Sequence, residues 1–111
     1  EIASSLVMIM QNAKPYLKSN LSLSDLAQLN GVSAHNLSEV INTKLNKSFY
    51  DFINYYRVEE VKKMLNNAKY ENYSILSIGF EAGFNSKTSF NTIFKKFTGT
   101  TPSEYKRTSR N

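Results

Sequence analysis

The sequence predicts an all-α fold of about seven helices in which one helix-turn-helix pattern occurs twice, and three observations predict it. Residues 23–52 and 75–105 repeat one order of residue types. Leu23, Leu26, Ala27, Gly31, Val32, Leu37, Val40, Ile41, Ser48, Asp51 and Phe52 are matched by Ile75, Ile78, Gly79, Gly83, Phe84, Phe90, Ile93, Phe94, Thr101, Glu104 and Tyr105, offset by 52 and, after the turn, by 53. Apolar residues recur at helical spacing through most of the chain, and hydroxyl and glycine residues stand where helices start and stop.

The first helix is read from Ile2, Leu6, Ile9, Met10, Ala13 and Leu17, ending after residues 15–18. Ser22 and Ser24 offer capping oxygens for a short second helix carrying Leu23, Leu26, Ala27 and Leu29, closed at Asn30-Gly31, where glycine can take a positive φ without steric penalty. Ser33 caps a third helix with Leu37, Val40, Ile41 and Leu45 inward. Ser48 with Asp51 forms a capping box for a fourth, about 18 residues and so about 27 Å long, whose stripe is Phe49, Phe52, Ile53, Tyr56, Glu60, Val61, Met64 and Leu65.

Ser74 caps a fifth helix carrying Ile75, Ile78 and Gly79, and Ala27 and Gly79 each stand four residues before a turn glycine, where a small side chain lets two helices cross closely. Ser86 caps a sixth, with Phe90, Ile93, Phe94 and Phe97 buried and Lys87, Thr88, Asn91, Thr92 and Lys95 facing away. Thr101-Pro102-Ser103-Glu104 is a second capping box, with proline at the first helical position of the last helix.

With 111 residues, 41% of them hydrophobic and 13% aromatic, the chain is long enough for one folded, soluble unit with a modest core. No apolar run approaches the ~20 residues of a membrane span. Cysteine is absent and His35 is the lone histidine, which leaves no disulfide framework and no thiolate or histidine zinc site. The chain opens at Glu1 with no charged-then-apolar leader, so it reads as a piece of something longer.

Charge is placed unevenly. Residues 1–82 hold eight basic and eight acidic side chains; residues 83–111 hold six basic ones, Lys87, Lys95, Lys96, Lys106, Arg107 and Arg110, against Glu104. The net charge of +5 therefore resides in the last 29 residues, and a basic patch on a small helical unit favours a polyanion through counterion release. A repeated helix-turn-helix in such a chain suggests two rods for two grooves of a duplex, held near the ~34 Å between successive major grooves by the long fourth helix.

The run from Gly83-Phe84-Asn85-Ser86-Lys87 through Phe90-Asn91-Thr92-Ile93-Phe94 to Thr101-Pro102-Ser103-Glu104-Tyr105-Lys106-Arg107 resembles the C-terminal signature of AraC/XylS-type bacterial transcription regulators. The similarity reaches back through Arg57-Val58-Glu59-Glu60-Val61-Lys62-Lys63-Met64-Leu65 and Leu26-Ala27-Gln28-Leu29-Asn30-Gly31-Val32-Ser33, and covers the chain from about Leu6 to Arg107. The resemblance implies a single seven-helix DNA-binding domain: a first helix-turn-helix at about 22–46, a linker helix at about 48–67, a second helix-turn-helix at about 74–98 and a final helix at about 101–107. It further implies attachment to a separate sensing or dimerisation region, a double-stranded operator, RNA polymerase as a further partner, a cytoplasmic setting and no cofactor.

Carried over by position, the first reading helix would present His35, Ser38 and Glu39 to bases, and the second Lys87, Thr88, Asn91 and Thr92. Backbone contacts would come from Ser33, Asn36, Asn42, Lys44, Ser86 and Lys95, with the amides at Ser33 and Ser86 meeting phosphates at helix N-termini. The second unit, lying in the basic region, should dominate affinity. Arg57 is expected to pair with Asp51, Glu60 or Glu81 rather than with DNA.

Asn46 stands where the family often has glycine, and Val61 and Gly79 where it usually has alanine; these are packing changes that leave the fold intact. Glu39 either accepts a hydrogen bond from cytosine N4 or points along the surface. A helical protein-interaction domain docking a transcription partner is the alternative from another class. Enzyme chemistry is not expected, for the sequence has no paired-carboxylate site, Cys/His pair, phosphate-cradling glycine loop or metal cluster. Base stacking on RNA is disfavoured because the aromatic residues are committed to helix cores.

Overall fold

A computed structural model describes residues 1–109; Arg110, counted above in the basic run, lies outside the described residues. Among the described residues the regular structure is helical throughout: α1 (Ile2–Asn12), α2 (Leu23–Leu29), α3 (Ala34–Thr43), α4 (Phe49–Leu65), α5 (Ile75–Glu81), α6 (Lys87–Thr98) and α7 (Pro102–Ser109), with 3-10 turns at Pro15–Leu17 and Ala68–Tyr70. The chain clusters as two compact units, Glu1–Asn54 and one beginning at Tyr55.

In the first unit Leu6, Met10, Tyr16, Leu21, Leu26, Ala27, Leu37, Ile41, Phe52 and Ile53 are buried. The first helix stops earlier than its apolar spacing predicts. α1 ends at Asn12, and Lys14 takes a left-handed conformation (φ 50°) before Pro15 opens the 3-10 turn. The proline ring removes a donor and disfavours helical torsions in the residue before it. Leu17, read as continuing the α1 stripe, is consequently exposed. At α2 the capping box is complete: the Asp25 amide donates to Ser22 Oγ at 3.0 Å and the Ser22 amide to Asp25 Oδ2 at 3.2 Å. Ser22, not Ser24, is the cap.

The second unit is built on Val58, Val61, Met64, Leu65, Ile78, Ala82, Phe84, Phe90 and Phe94, with Ile93, Phe97 and Tyr105 partly buried against them. Phe90 lies 5.2 Å from Phe84 and 6.2 Å from Phe94 between ring centroids, and Tyr105 of α7 meets Phe94 edge-on at 5.6 Å. On α4 the expected single stripe is not kept. Tyr56 and Glu60 are only half-buried, whereas Val58, outside that stripe, is 1% exposed. Phe52 and Ile53 belong to one unit and Val58, Val61, Met64 and Leu65 to the other, so no single periodicity describes the helix.

The duplication is visible in the backbone itself. After α2 the Val32 amide donates to Ala27 O at 3.1 Å and Gly31 to Gln28 O at 3.1 Å; after α5 the Phe84 amide donates to Gly79 O at 3.0 Å and Gly83 to Phe80 O at 3.1 Å. Gly31 and Gly83 both have positive φ, 70° and 108°. Two sequences with few identical residues therefore close the same turn with the same pair of bonds.

Candidate nucleic-acid interface

α3 and α6 are the second helices of these two turns, and each buries one side and exposes the other. In α3, Leu37 and Ile41 are buried, while His35, Asn36, Glu39 and Asn42 are exposed and Ser38 half-exposed. His35 and Glu39 stand one turn apart, with 3.8 Å between His35 Nε2 and Glu39 Oε2 and 87% and 65% of their side chains in solvent. That separation makes an ion pair only when the imidazole is protonated, and exposure keeps it weak. Asn42 Nδ2 reaches Ser38 Oγ at 3.5 Å. The structure thus brings His35, Ser38, Glu39 and Asn42 onto one outer surface. Lys44, exposed, sits just beyond the end of the helix as its C-cap.

In α6, Phe90 and Phe94 anchor the inner side, and Lys87, Thr88, Thr92 and Lys95 are exposed. Thr88, Thr92 and Lys95, at spacings of four and three, lie most directly opposite the phenylalanines. Asn91 differs from its expected outward placement: it is half-buried and lies with Lys87 beside Ile75, Leu76, Phe90 and Ser103. The reason is angular. Residues 87 and 91 fall on the flank of the helix between its inner and outer faces, one turn from each other.

Both helix starts are capped alike. Ser33 Oγ accepts the Asn36 amide at 3.1 Å and Ser86 Oγ accepts the Ser89 amide at 3.0 Å. The remaining first-turn amides have no intrahelical acceptor and carry the positive end of the helix dipole, which is the chemistry an oxyanion needs. Basic residues continue beyond α6, with Lys106 and Arg107 in the last turn of α7. Arg57 on α4 is half-buried, and loss of water lowers its pKa below the ordinary guanidinium value.

Among the described residues there is no group of three or more His, Cys, Asp or Glu side chains placed to hold a metal ion. No described helix is long and apolar enough to cross a membrane. Ser103 is the residue beside α6 that the pattern of outward side chains does not pick out. In the register of the repeat it occupies the place of Tyr50 in the first copy, and no signal in the sequence marks either position.

A family model described as a helix-turn-helix domain matches residues 26–108. An uncharacterized HTH-type transcriptional regulator from the cgkA 5′ region of Pseudoalteromonas carrageenovora is 33% identical over 104 residues, which is 90% of this chain and 60% of that protein's length. The C-terminal domain of the two-component response regulator yesN from Fusobacterium nucleatum superposes with a TM-score of 0.74 and 27% identity, covering 94% of this chain and 96% of that one. The DNA-binding domain of AdpA, a global transcriptional factor solved in complex with a target DNA, has the same fold with a TM-score of 0.78 and 16% identity, over 98% of this chain and 92% of that one.

Proposed function

This chain belongs to the helix-turn-helix family of AraC-type DNA-binding domains of transcription regulators, and from that membership we propose that α3 and α6 are its two reading helices, one per unit, on a double-stranded operator. The observation that carries the reading is the duplicated turn: the same amide-to-carbonyl bonds after α2 and after α5, each followed by a capped helix with polar side chains outward. His35, Ser38 and Glu39 face bases from α3, and Thr88 and Thr92 from α6, with Lys87 and Asn91 alongside. Ser33, Asn36, Asn42, Lys44, Ser86 and Lys95 meet the sugar-phosphate backbone. Phosphate contacts fix the register of each helix and base-edge contacts supply the preference.

Basic residues concentrated after Gly83 make the second unit the stronger contributor to affinity. The matched Pseudoalteromonas regulator is longer than this chain, which supports a further sensing or dimerisation region in the whole protein. RNA polymerase as a second partner and a cytoplasmic setting follow from the role in transcription.

Selection of the chain against a random duplex library, followed by a salt-series titration of the winning sequence, tests this reading. Two enriched short elements about one helical turn apart, with affinity falling steeply as salt rises, are expected. A single element would remove α3 from base reading. No enrichment, together with a partner protein that excess duplex fails to displace, would replace DNA reading by protein docking.

A further inference from the structure

Lys87 and Asn91, one turn apart on α6, form with Phe90, Ile75, Leu76 and Ser103 a notch of about 140 Å³. Its floor is apolar: Phe90 is 1% exposed, and Ile75 and Leu76 are half-buried in the same core. Its rim carries an ammonium, a carboxamide and a hydroxyl, and no carboxylate lines it. Glu104, the acidic residue of the adjoining turn, is turned back on Thr101, accepting the Thr101 amide at 3.1 Å and its hydroxyl at 2.9 Å. Three donors over an apolar floor suit a ligand with an anionic oxygen joined to a small carbon framework.

The notch is not a by-product of the shared fold. In the register of the repeat its six residues correspond to Leu23, Ser24, Ala34, Leu37, Ser38 and Tyr50 in the first unit. There the cation is replaced by alanine, and Tyr50, 74% exposed, stands in place of Ser103. The same backbone frame carries a polar, cationic recess in one unit and a projecting aromatic ring in the other.

We propose that this notch grips one deoxyribose-phosphate of the duplex, with the sugar on Ile75 and Leu76 and the phosphate oxygens taking hydrogen bonds from Lys87, Asn91 and Ser103. The proposal rests on the DNA reading above and refines it. Asn91 and Lys87 position α6 on the backbone, base preference at that half-site comes from Thr88 and Thr92, and Ser103 of α7 joins the interface. Phosphate contacts of this kind set register and carry no sequence information directly.

The test uses the full chain, the selected duplex, and the same duplex carrying a single uncharged methylphosphonate moved one position at a time. Ser103→Ala is expected to weaken binding about three- to tenfold, equally for the selected duplex and for duplexes with one altered base pair, with Ser103→Thr restoring it. At one methylphosphonate position wild type and Ser103→Ala should bind alike, because the contact is already gone. Unchanged affinity in Ser103→Ala, an altered base preference, or additivity with every methylphosphonate would overturn the proposal. Inorganic phosphate that binds wild type but not Ser103→Ala at constant ionic strength, with duplex affinity unchanged by either the phosphate or the substitution, would make the notch a small-anion site instead. Failure of wild type to bind any duplex would instead remove the DNA reading itself.

Discussion

Asn46 and Gly99 stand in register at the ends of the two reading helices, and both adopt positive φ, 57° and 85°. A Cβ at Gly99 would meet no atom within 4 Å, so the demand there is on backbone torsion, not on space. Asparagine tolerates the left-handed region better than most residues but less readily than glycine. Asn46→Gly is accordingly expected to stabilise the chain by about 0.5–1 kcal/mol, and Asn46→Val to cost about 1–2 kcal/mol, both read by urea unfolding. Glu104 offers a second check at this scale. Hydrogen bonds from the Thr101 amide and hydroxyl hold its carboxyl below the ordinary glutamate pKa. A carboxyl depressed in the folded state stabilises above its unfolded pKa, and that stability is lost as pH falls through the folded value. The melting temperature of Glu104→Gln should therefore lie below that of wild type at neutral pH and converge on it in acid; a constant gap across the series would refute the charge contribution. The Thr101–Glu104 cap was readable from sequence because caps are local, whereas Asn46, expected as a packing change, is a position of positive φ. The half-burial of Asn91 was not readable, since helical spacing places it on the flank but only the packing of α5 and α7 beside that flank covers it.

At the scale of helices, the crossing of α5 with α6 explains why one copy of the repeat has glycine where the other has alanine. A Cβ built on Gly79 would lie 2.4 Å from the Phe90 ring, which is buried and cannot swing away. In the first copy the matching residues are Ala27 and Leu37. The smaller residue on one helix accompanies the larger on the other, a volume exchange at constant geometry. Gly79→Ala is expected to destabilise by about 1–3 kcal/mol, and the double change Gly79→Ala with Phe90→Leu to recover much of that loss in denaturant unfolding. Destabilisation of the double variant by the sum of the Gly79→Ala and Phe90→Leu losses would show that the two positions are not coupled. The sequence made the close crossing visible through its small residues, and capping serines placed most helix starts. Two features escaped it. The apolar spacing runs past the end of α1 because Leu17 continues it beyond Pro15, and no one period describes α4 because its residues serve different cores.

For the whole molecule, the decisive property is that fold and charge are distributed differently. Two units repeat one architecture, yet residues 1–82 balance their charges and residues 83–111 do not. Removing a cation that meets phosphate lowers the salt dependence of binding by about one counterion, so Lys95→Gln should flatten the log-log salt slope by about 0.9. Lys44→Gln should do the same only if the first unit also lies on phosphate, which makes the pair of titrations a comparison of the two halves. The helix-turn-helix character and the basic bias were legible because each is a property of residue order or of counting. The notch around Ser103 was not, because it is assembled from side chains of three successive helices, α5, α6 and α7, and exists only once they pack together.

One consequence of the unlike notch and tyrosine reaches the genome. With His35 and Glu39 exposed on α3 and Thr88 and Thr92 on α6, the two helices proposed to read DNA have no internal mirror. A single copy therefore gives its target a head and a tail, and reversing that stretch of DNA presents a different word. A promoter carrying such a site inherits an arrow, so that inverting the site in place should change regulation even where its distance from the start of transcription is kept.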